Sequence, residues 1–242
     1  MSAAPRLGPL LEAASARYRS TGRFARQFAR GKLGGDPMFA GILAHGLLAG
    51  RTRLLDLGCG QGLLAAWLLA ARACHAAGRG WPAHWPAPPQ LVSYRGIEIN
   101  PREAARAQQA FAAEPGAALQ IVHGDIADVD YGSADAVVIL DVLHYIDYAA
   151  QERVLARARG ALDGAGLLLL RVGDADAGLR FALGAAVDHT VCLARRGRWQ
   201  PLQCRPLRAW QELLVRLGFA SRALPMSAGT PFANVLLVAE PR

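Results

Sequence analysis

Directly behind the short apolar run Arg53-Leu54-Leu55-Asp56-Leu57, three glycines alternate with other residues in Gly58-Cys59-Gly60-Gln61-Gly62. Glycine has no Cβ, so such a turn lets a ligand approach the main chain, and a helix starting there aims its free N–H groups at that ligand. The spacing is GxGxG. A dinucleotide fingerprint starting at Gly58 needs its third glycine where Leu63 stands, which argues against a nicotinamide dinucleotide. Acids recur at comparable places downstream. Glu98, in Gly96-Ile97-Glu98-Ile99-Asn100, closes the next apolar run, and a carboxylate there can accept both hydroxyls of a ribose. Asp125, in Gly124-Asp125-Ile126, can accept an adenine amino group while Ile126 packs on the ring; alone, such an acid is also an ordinary N-cap. Finally, Asp141-Val142-Leu143-His144-Tyr145 brings an acid, an imidazole and a phenol to one turn. His144 is the first candidate for a general base, since imidazole exchanges protons near neutral pH, and it is equally suited to being a pocket wall. Tyr145 and His189 are the other candidates, His189 standing alone on an apolar helix where a structural role is the ordinary one.

These residues need elements to position them. The spacing predicts strands at 53–57, 91–98, 119–123, 135–140, 166–172, 219–224 and 234–239. Between them it predicts helices from Leu63 to about Ala77, over 101–113, 148–161 and 177–194, and over 207–217. One helix is expected over 8–30, and another, N-capped by Asp36, runs to Gly50; Gly31 and Gly34-Gly35 separate the two. Strands alternating with helices make an α/β fold with a mostly parallel sheet covered on both faces, in which ligands bind beyond the carboxyl ends of the strands. Residues 78–90, GRGWPAHWPAPPQ, cannot form a regular element because proline breaks both helix and sheet, and read as a rigid surface insertion. The expected organisation is a helical N-terminal lid over residues 1–50 and a catalytic domain over 51–242.

Composition narrows the class. The chain has 242 residues, 52% hydrophobic and 19% charged, as in a globular enzyme domain large enough to fold without a disulfide or a structural metal. Cys59, Cys74, Cys192 and Cys204 show neither CxxC nor His-paired spacing, so no metal site is expected and a reducing, cytoplasmic compartment fits best. No apolar run approaches the roughly 20 residues of a membrane span, and the N-terminus offers no signal-peptide core. All but Lys32 of the 27 basic residues are arginine, a usage that points to a GC-rich, bacterial genome and explains part of the net charge of +8. Between Arg6 and Lys32, seven basic residues stand against Glu12 alone, and that segment calls for an acidic neighbour.

Leu54-Leu55-Asp56-Leu57-Gly58-Cys59-Gly60-Gln61-Gly62 resembles the first motif of the class I S-adenosylmethionine-dependent methyltransferases, and Glu98, Gly124-Asp125 and 135–143 fall where later motifs of that superfamily fall. The resemblance covers about residues 51–172. It implies a Rossmann-like three-layer α/β/α sandwich with a seven-stranded sheet whose last strand runs antiparallel inside the terminal pair. It further implies that Asp56, Leu57 and the loop Gly58, Cys59, Gly60 and Gly62 wrap the methionine part of S-adenosylmethionine, and of its product S-adenosylhomocysteine. Glu98 and Ile99 would then hold the ribose, Asp125 and Ile126 the adenine, and Asp141, Val142 and Leu143 the amino group and the sulfonium. No (D/N)PPY tetrad, no Pro-Cys pair and only one lysine are present, so the marks of base and ribose methylators are missing and nucleic acid is a disfavoured acceptor. A small organic acceptor, O- or C-methylated, is expected. The N-terminal segment around 24–37 is similar to that of methyltransferases of bacterial polyketide and aryl polyene pigment pathways, which implies an aromatic or polyene acid, carried on an acidic carrier protein that would meet Arg17 to Lys32. RNA methylation, and a cofactor-binding interaction protein without catalysis, are the alternatives.

Overall fold

A strand buried on both faces can be apolar at nearly every position, and the apolar runs duly become strands. The computed structural model describes residues 7–114, 119–196 and 201–242, with the backbone alone at 188 and 190–196. Arg6 and the side chains of Asp188 and Cys192 therefore lie outside the described residues. The strands are β1 (Arg53–Leu57), β2 (Ser93–Glu98), β3 (Leu119–His123), β4 (Ala134–Leu140), β5 (Leu162–Gly173), β6 (Phe219–Pro225) and β7 (Asn234–Pro241). They make one seven-stranded sheet in the order β3-β2-β1-β4-β5-β7-β6. The pairs β1–β2, β2–β3 and β4–β5 are parallel, and β7 is antiparallel to both β5 and β6, as the resemblance implies. The chain divides into two compact units, residues 1–125 and 126–242. Among the described residues no helix is long and apolar enough to cross a membrane.

In the first unit the expected single helix over 8–30 is two helices, α1 (Gly8–Ala16) and α2 (Arg23–Gly35), joined through a short 3-10 turn at Arg17–Arg19. The break sits at Gly22, whose φ of +108° lies in the left-handed half of backbone space that only glycine enters freely. Nor do Gly31, Gly34 and Gly35 end the helix. It runs through them to Asp36, where Pro37 starts α3 (Pro37–Ala44) and the Asp36 carboxylate accepts from Met38 N, capping α3 as expected. Three guanidiniums, of Arg19, Arg26 and Arg30, share the Glu12 carboxylate, and Arg17 pairs with Glu114, so much of this basic segment is answered from within the unit. Helix α4 (Leu63–Ala76) is apolar on almost every side because α1 packs on it and Phe39 meets Trp67 edge to face, with Trp67 Nε1 donating to Phe39 O. The segment 78–90 is irregular, but it is not purely a surface feature: Trp85, Pro88 and Pro89 are buried, and Trp81 packs edge to face on both His75 and Trp85. Asn100 caps α5 (Pro101–Ala110) by accepting from Arg102 N and Glu103 N.

In the second unit, β4 and β5 supply a core in which Val137, Val138, Ile139, Leu168, Leu169 and Leu170 are wholly inaccessible. β5 starts four residues earlier than expected. A register shift opposite Ala134 to Ala136 takes up Asp163 to Gly166, a stretch whose two glycines read as a loop. After β4 come a 3-10 turn at Leu143–Tyr145 and α6 (Tyr148–Ala161), capped by Asp147 accepting from Ala150 N. α7 (Leu179–Arg196) follows β5, and α8 (Leu207–Arg216) precedes β6.

Candidate functional site

The glycine run leaves β1 as a turn fastened to β2: the N–H groups of Gly58 and Cys59 both donate to Ile97 O, at 2.8 and 3.0 Å. Gly58, Gly60 and Gly62 all have φ between +58° and +79°, which explains the three glycines. Their surroundings differ. A Cβ at Gly62 would come within 2.5 Å of the Phe111 ring, whereas a Cβ at Gly60 would meet nothing within 4 Å, so the loop is packed from behind at one glycine and open at the other. Gly96, opposite in β2, has no room for a Cβ because the Cys59 sulfur lies 2.7 Å from where it would sit.

Glu98 ends β2 and is buried, with each carboxylate oxygen engaged once: Oε2 accepts from Gly60 N at 2.8 Å and Oε1 from Asn100 N at 2.7 Å. A carboxylate oxygen has two acceptor sites, so both keep capacity for a further donor. The main chain of Glu98 also receives Gly124 N at 3.0 Å, which brings the turn carrying Asp125 to the end of the same strand. Asp125 is half-buried, and Ile99, by contrast, stands well exposed.

Beneath the loop lies a cluster that the sequence reading did not foresee. Asp56 is fully buried and accepts from the Tyr94 hydroxyl. Burial pushes the Asp56 carboxyl up to about 7; the Tyr94 hydrogen bond opposes that rise and the charge of Glu98 adds to it. Burial likewise drives the Tyr94 phenol and the Cys59 thiol well above their ordinary ranges, with Asp56 adding to both, so neither is a nucleophile. Tyr18, equally buried, donates to Gln61 O at 2.8 Å and holds the loop from the N-terminal segment. The Gln61 side chain is 2% exposed, and among the described residues its Nε2 has no hydrogen-bond partner. A buried amide without an acceptor is costly, and in a glycine loop it suits a ligand that brings one.

In the second unit, Asp141 follows β4 with φ +58°, a left-handed conformation that costs energy in any residue with a Cβ and that Asp tolerates better than most. Its carboxylate is fixed by Arg171 of β5, Nη1 to Oδ2 3.0 Å, and Arg171 itself is almost wholly buried. Asp141 and His144 line one pocket, open to solvent, together with Gly173, Arg180, Phe181, Gly184, Ala185, Cys204, Ala233 and Asn234. The His144 ring rests on Tyr145, centroids 4.0 Å apart, and His144 O accepts from Gln203 N. Neither Tyr145 nor His189 lines the pocket. Leu143 is buried, Val142 is half-buried, and Ile126 is buried with its carbonyl accepting from Tyr131 and Arg157.

Tyr18, Tyr94, Arg171 and Arg180 were thus missed. Arg171 had a legible signal, a charge ending the run Leu167-Leu168-Leu169-Leu170 inside a strand. The two tyrosines had none, since each finds its partner only through folding.

Residues 55–168 match the family described as the methyltransferase domain. Over 131 residues the chain is 30% identical to a carboxy-S-adenosyl-L-methionine synthase of Chromohalobacter salexigens, a match covering 54% of this chain and 43% of that relative, less than half of its length. An O-methyltransferase family protein from Burkholderia thailandensis superposes with a TM-score of 0.65 at 21% identity, covering 98% of this chain and 67% of that one. The magnesium protoporphyrin IX methyltransferase of Synechocystis PCC 6803 with bound SAH does so with a TM-score of 0.59 at 20% identity, covering 94% of each chain. At such identities the likeness to these two structures is one of fold.

Proposed function

We propose that the chain is a class I methyltransferase that transfers a methyl group from S-adenosylmethionine to a small organic acceptor, a premise supported by the methyltransferase-domain match over residues 55–168 and by the likeness of fold. The observation that carries the reading is the glycine loop with its open Gly60, its buried Gln61 amide lacking an acceptor, and Glu98 bound to the loop's own N–H while keeping acceptor capacity. When bound, S-adenosylmethionine supplies an activated methyl group on a sulfonium sulfur. Glu98 takes the ribose hydroxyls, Gln61 donates its amide to an oxygen of the amino-acid part, and Asp125 takes the adenine amino group. Gly58 to Gly62 let that ligand lie against the backbone, and Tyr18, Tyr94 and Asp56 keep the loop in shape from beneath. The pocket of the second unit holds the acceptor. There His144 takes the acceptor's proton as its oxygen or carbon becomes a nucleophile, and the Asp141–Arg171 pair fixes the wall behind it.

Calorimetry with S-adenosylmethionine and with SAH, in the presence of a chelator, tests the premise. Binding of both at micromolar to millimolar concentration is expected, and its absence at millimolar ligand would overturn the proposal. A screen of small phenols and carbon acids with methyl-labelled cofactor, read by mass spectrometry, then identifies the acceptor.

A further inference from the structure

Among the described residues the charge in the second unit's pocket does not balance. Asp141 is the one acid among the described lining residues, and Arg171 already answers it at 3.0 Å. Arg180, at the rim, has no such answer: among the described residues its guanidinium meets only neutral oxygens, through Nη2 alone, at 2.6 Å to Phe232 O and 3.4 Å to both Thr230 O and Ser227 Oγ. Those three contacts, all from the segment between β6 and β7, pin the group in place. They leave Nε and Nη1 without a hydrogen-bond partner among the described residues. A guanidinium held in one orientation with a free edge is preorganised for two parallel bonds to a carboxylate, and little rotamer freedom is left to lose on binding.

The other walls limit what can bring that carboxylate. Phe181 and Ala185 from α7, with Ala233, give the lining an apolar part on which a ring can rest, while His144 stands on the turn after β4. A dianion such as phosphate fits less well, because Arg180 is the one uncompensated cation among the described lining residues and the Asp141 carboxylate lies in the same wall.

Building on the methyltransferase reading above, we propose that the acceptor is an aromatic acid, with its carboxylate held by Arg180 and its ring against Phe181. Arg180 is then the residue that selects the acceptor, its exposed edge exchanging water for the carboxylate.

The test uses the full chain saturated with SAH and compares 4-hydroxycinnamate with its primary amide, which has the same shape without the charge. The acid should raise the melting temperature and bind at least tenfold more tightly than the amide by calorimetry. In Arg180→Leu the acid should lose about 10- to 100-fold in affinity and the preference should vanish, as expected when a charge-assisted pair is removed. Should Arg180→Leu fail to fold for want of its tether to 227–232, Arg180→Lys decides: it keeps the charge but loses the fork, and should retain a reduced preference for the acid. Equal binding of acid and amide, binding of neither, or an unchanged preference in the arginine variants would overturn the proposal while leaving the cofactor reading intact. Failure of SAH itself to bind would instead strike at the methyltransferase reading.

Discussion

Removing one oxygen atom, in Tyr94→Phe, tests the buried cluster under the glycine loop. Asp56 and Tyr94 are both inaccessible, and the hydroxyl is the donor that makes a charged carboxylate tolerable there. Burial raises the Asp56 carboxyl from its ordinary 3.8 to about 7, so between those values the folded chain holds a proton that the unfolded chain has released. Stability from this group is therefore fully present below about 3.8 and is lost as pH rises to about 7. At 1.36 kcal/mol per pH unit the whole loss is of order 4 kcal/mol. Without the hydroxyl the anion loses a charge-assisted bond of about 1.5–3 kcal/mol, so the Asp56 carboxyl climbs further and stability goes on falling above pH 7. Below that point Asp56 is neutral in both proteins, and only an ordinary hydrogen bond of about 0.5–1.5 kcal/mol separates them. Urea unfolding of the two proteins at pH 5, 7 and 9 should show a stability difference that is small at pH 5 and grows by about 1–2 kcal/mol toward pH 9. A difference that is flat with pH, or larger at pH 5, would mean that Asp56 is already ionised in the folded chain at pH 5 and that the cluster does not titrate as described.

Glu98→Gln should weaken SAH binding by about 1–3 kcal/mol in calorimetry, because the hydroxyls lose a charged acceptor; unchanged affinity would make Glu98 a support of the loop alone. Gly62→Ala should destabilise the chain by at least about 1–2 kcal/mol in chemical denaturation, since φ is +77° and the new Cβ meets the Phe111 ring. Adding Phe111→Leu should recover only the steric share, leaving the backbone strain. His144→Gln should lower turnover about 10²- to 10⁴-fold with SAH affinity nearly unchanged, and wild-type turnover in this variant would make His144 a pocket wall.

Much of this molecule is legible in the sequence because its strongest signals are local. The glycine run, the acid two residues past Gly96 and the turn at Asp141 each announce themselves within a few residues, and so do the caps at Asp36, Asn100 and Asp147. The errors came where local signals conflict. Residues 8–30 have helical composition throughout, yet a single Gly22 at positive φ turns the chain. Gly31, Gly34 and Gly35, which look like a stop, stay helical because Pro37 and the Asp36 cap end α2 instead.

What the sequence conceals is the support of the site, and the reason is register. Asp56 faces Gly96 across the parallel β1–β2 pair, and Tyr94, two residues back on the same face of β2, reaches Asp56 across the strands only because Leu54 pairs with Tyr94 and Asp56 with Gly96. A shift of one residue would turn Tyr94 to the other face and leave a buried carboxylate with no donor from β2. Tyr18 lies 43 residues before the carbonyl it holds, and Arg171 lies 30 residues beyond the Asp141 that it fixes. Spacing rules cannot find pairs set by strand order rather than by turns. The residues proposed to meet a ligand stand directly after strands, where spacing picks them out, whereas those that hold them in place depend on which strand lies beside which.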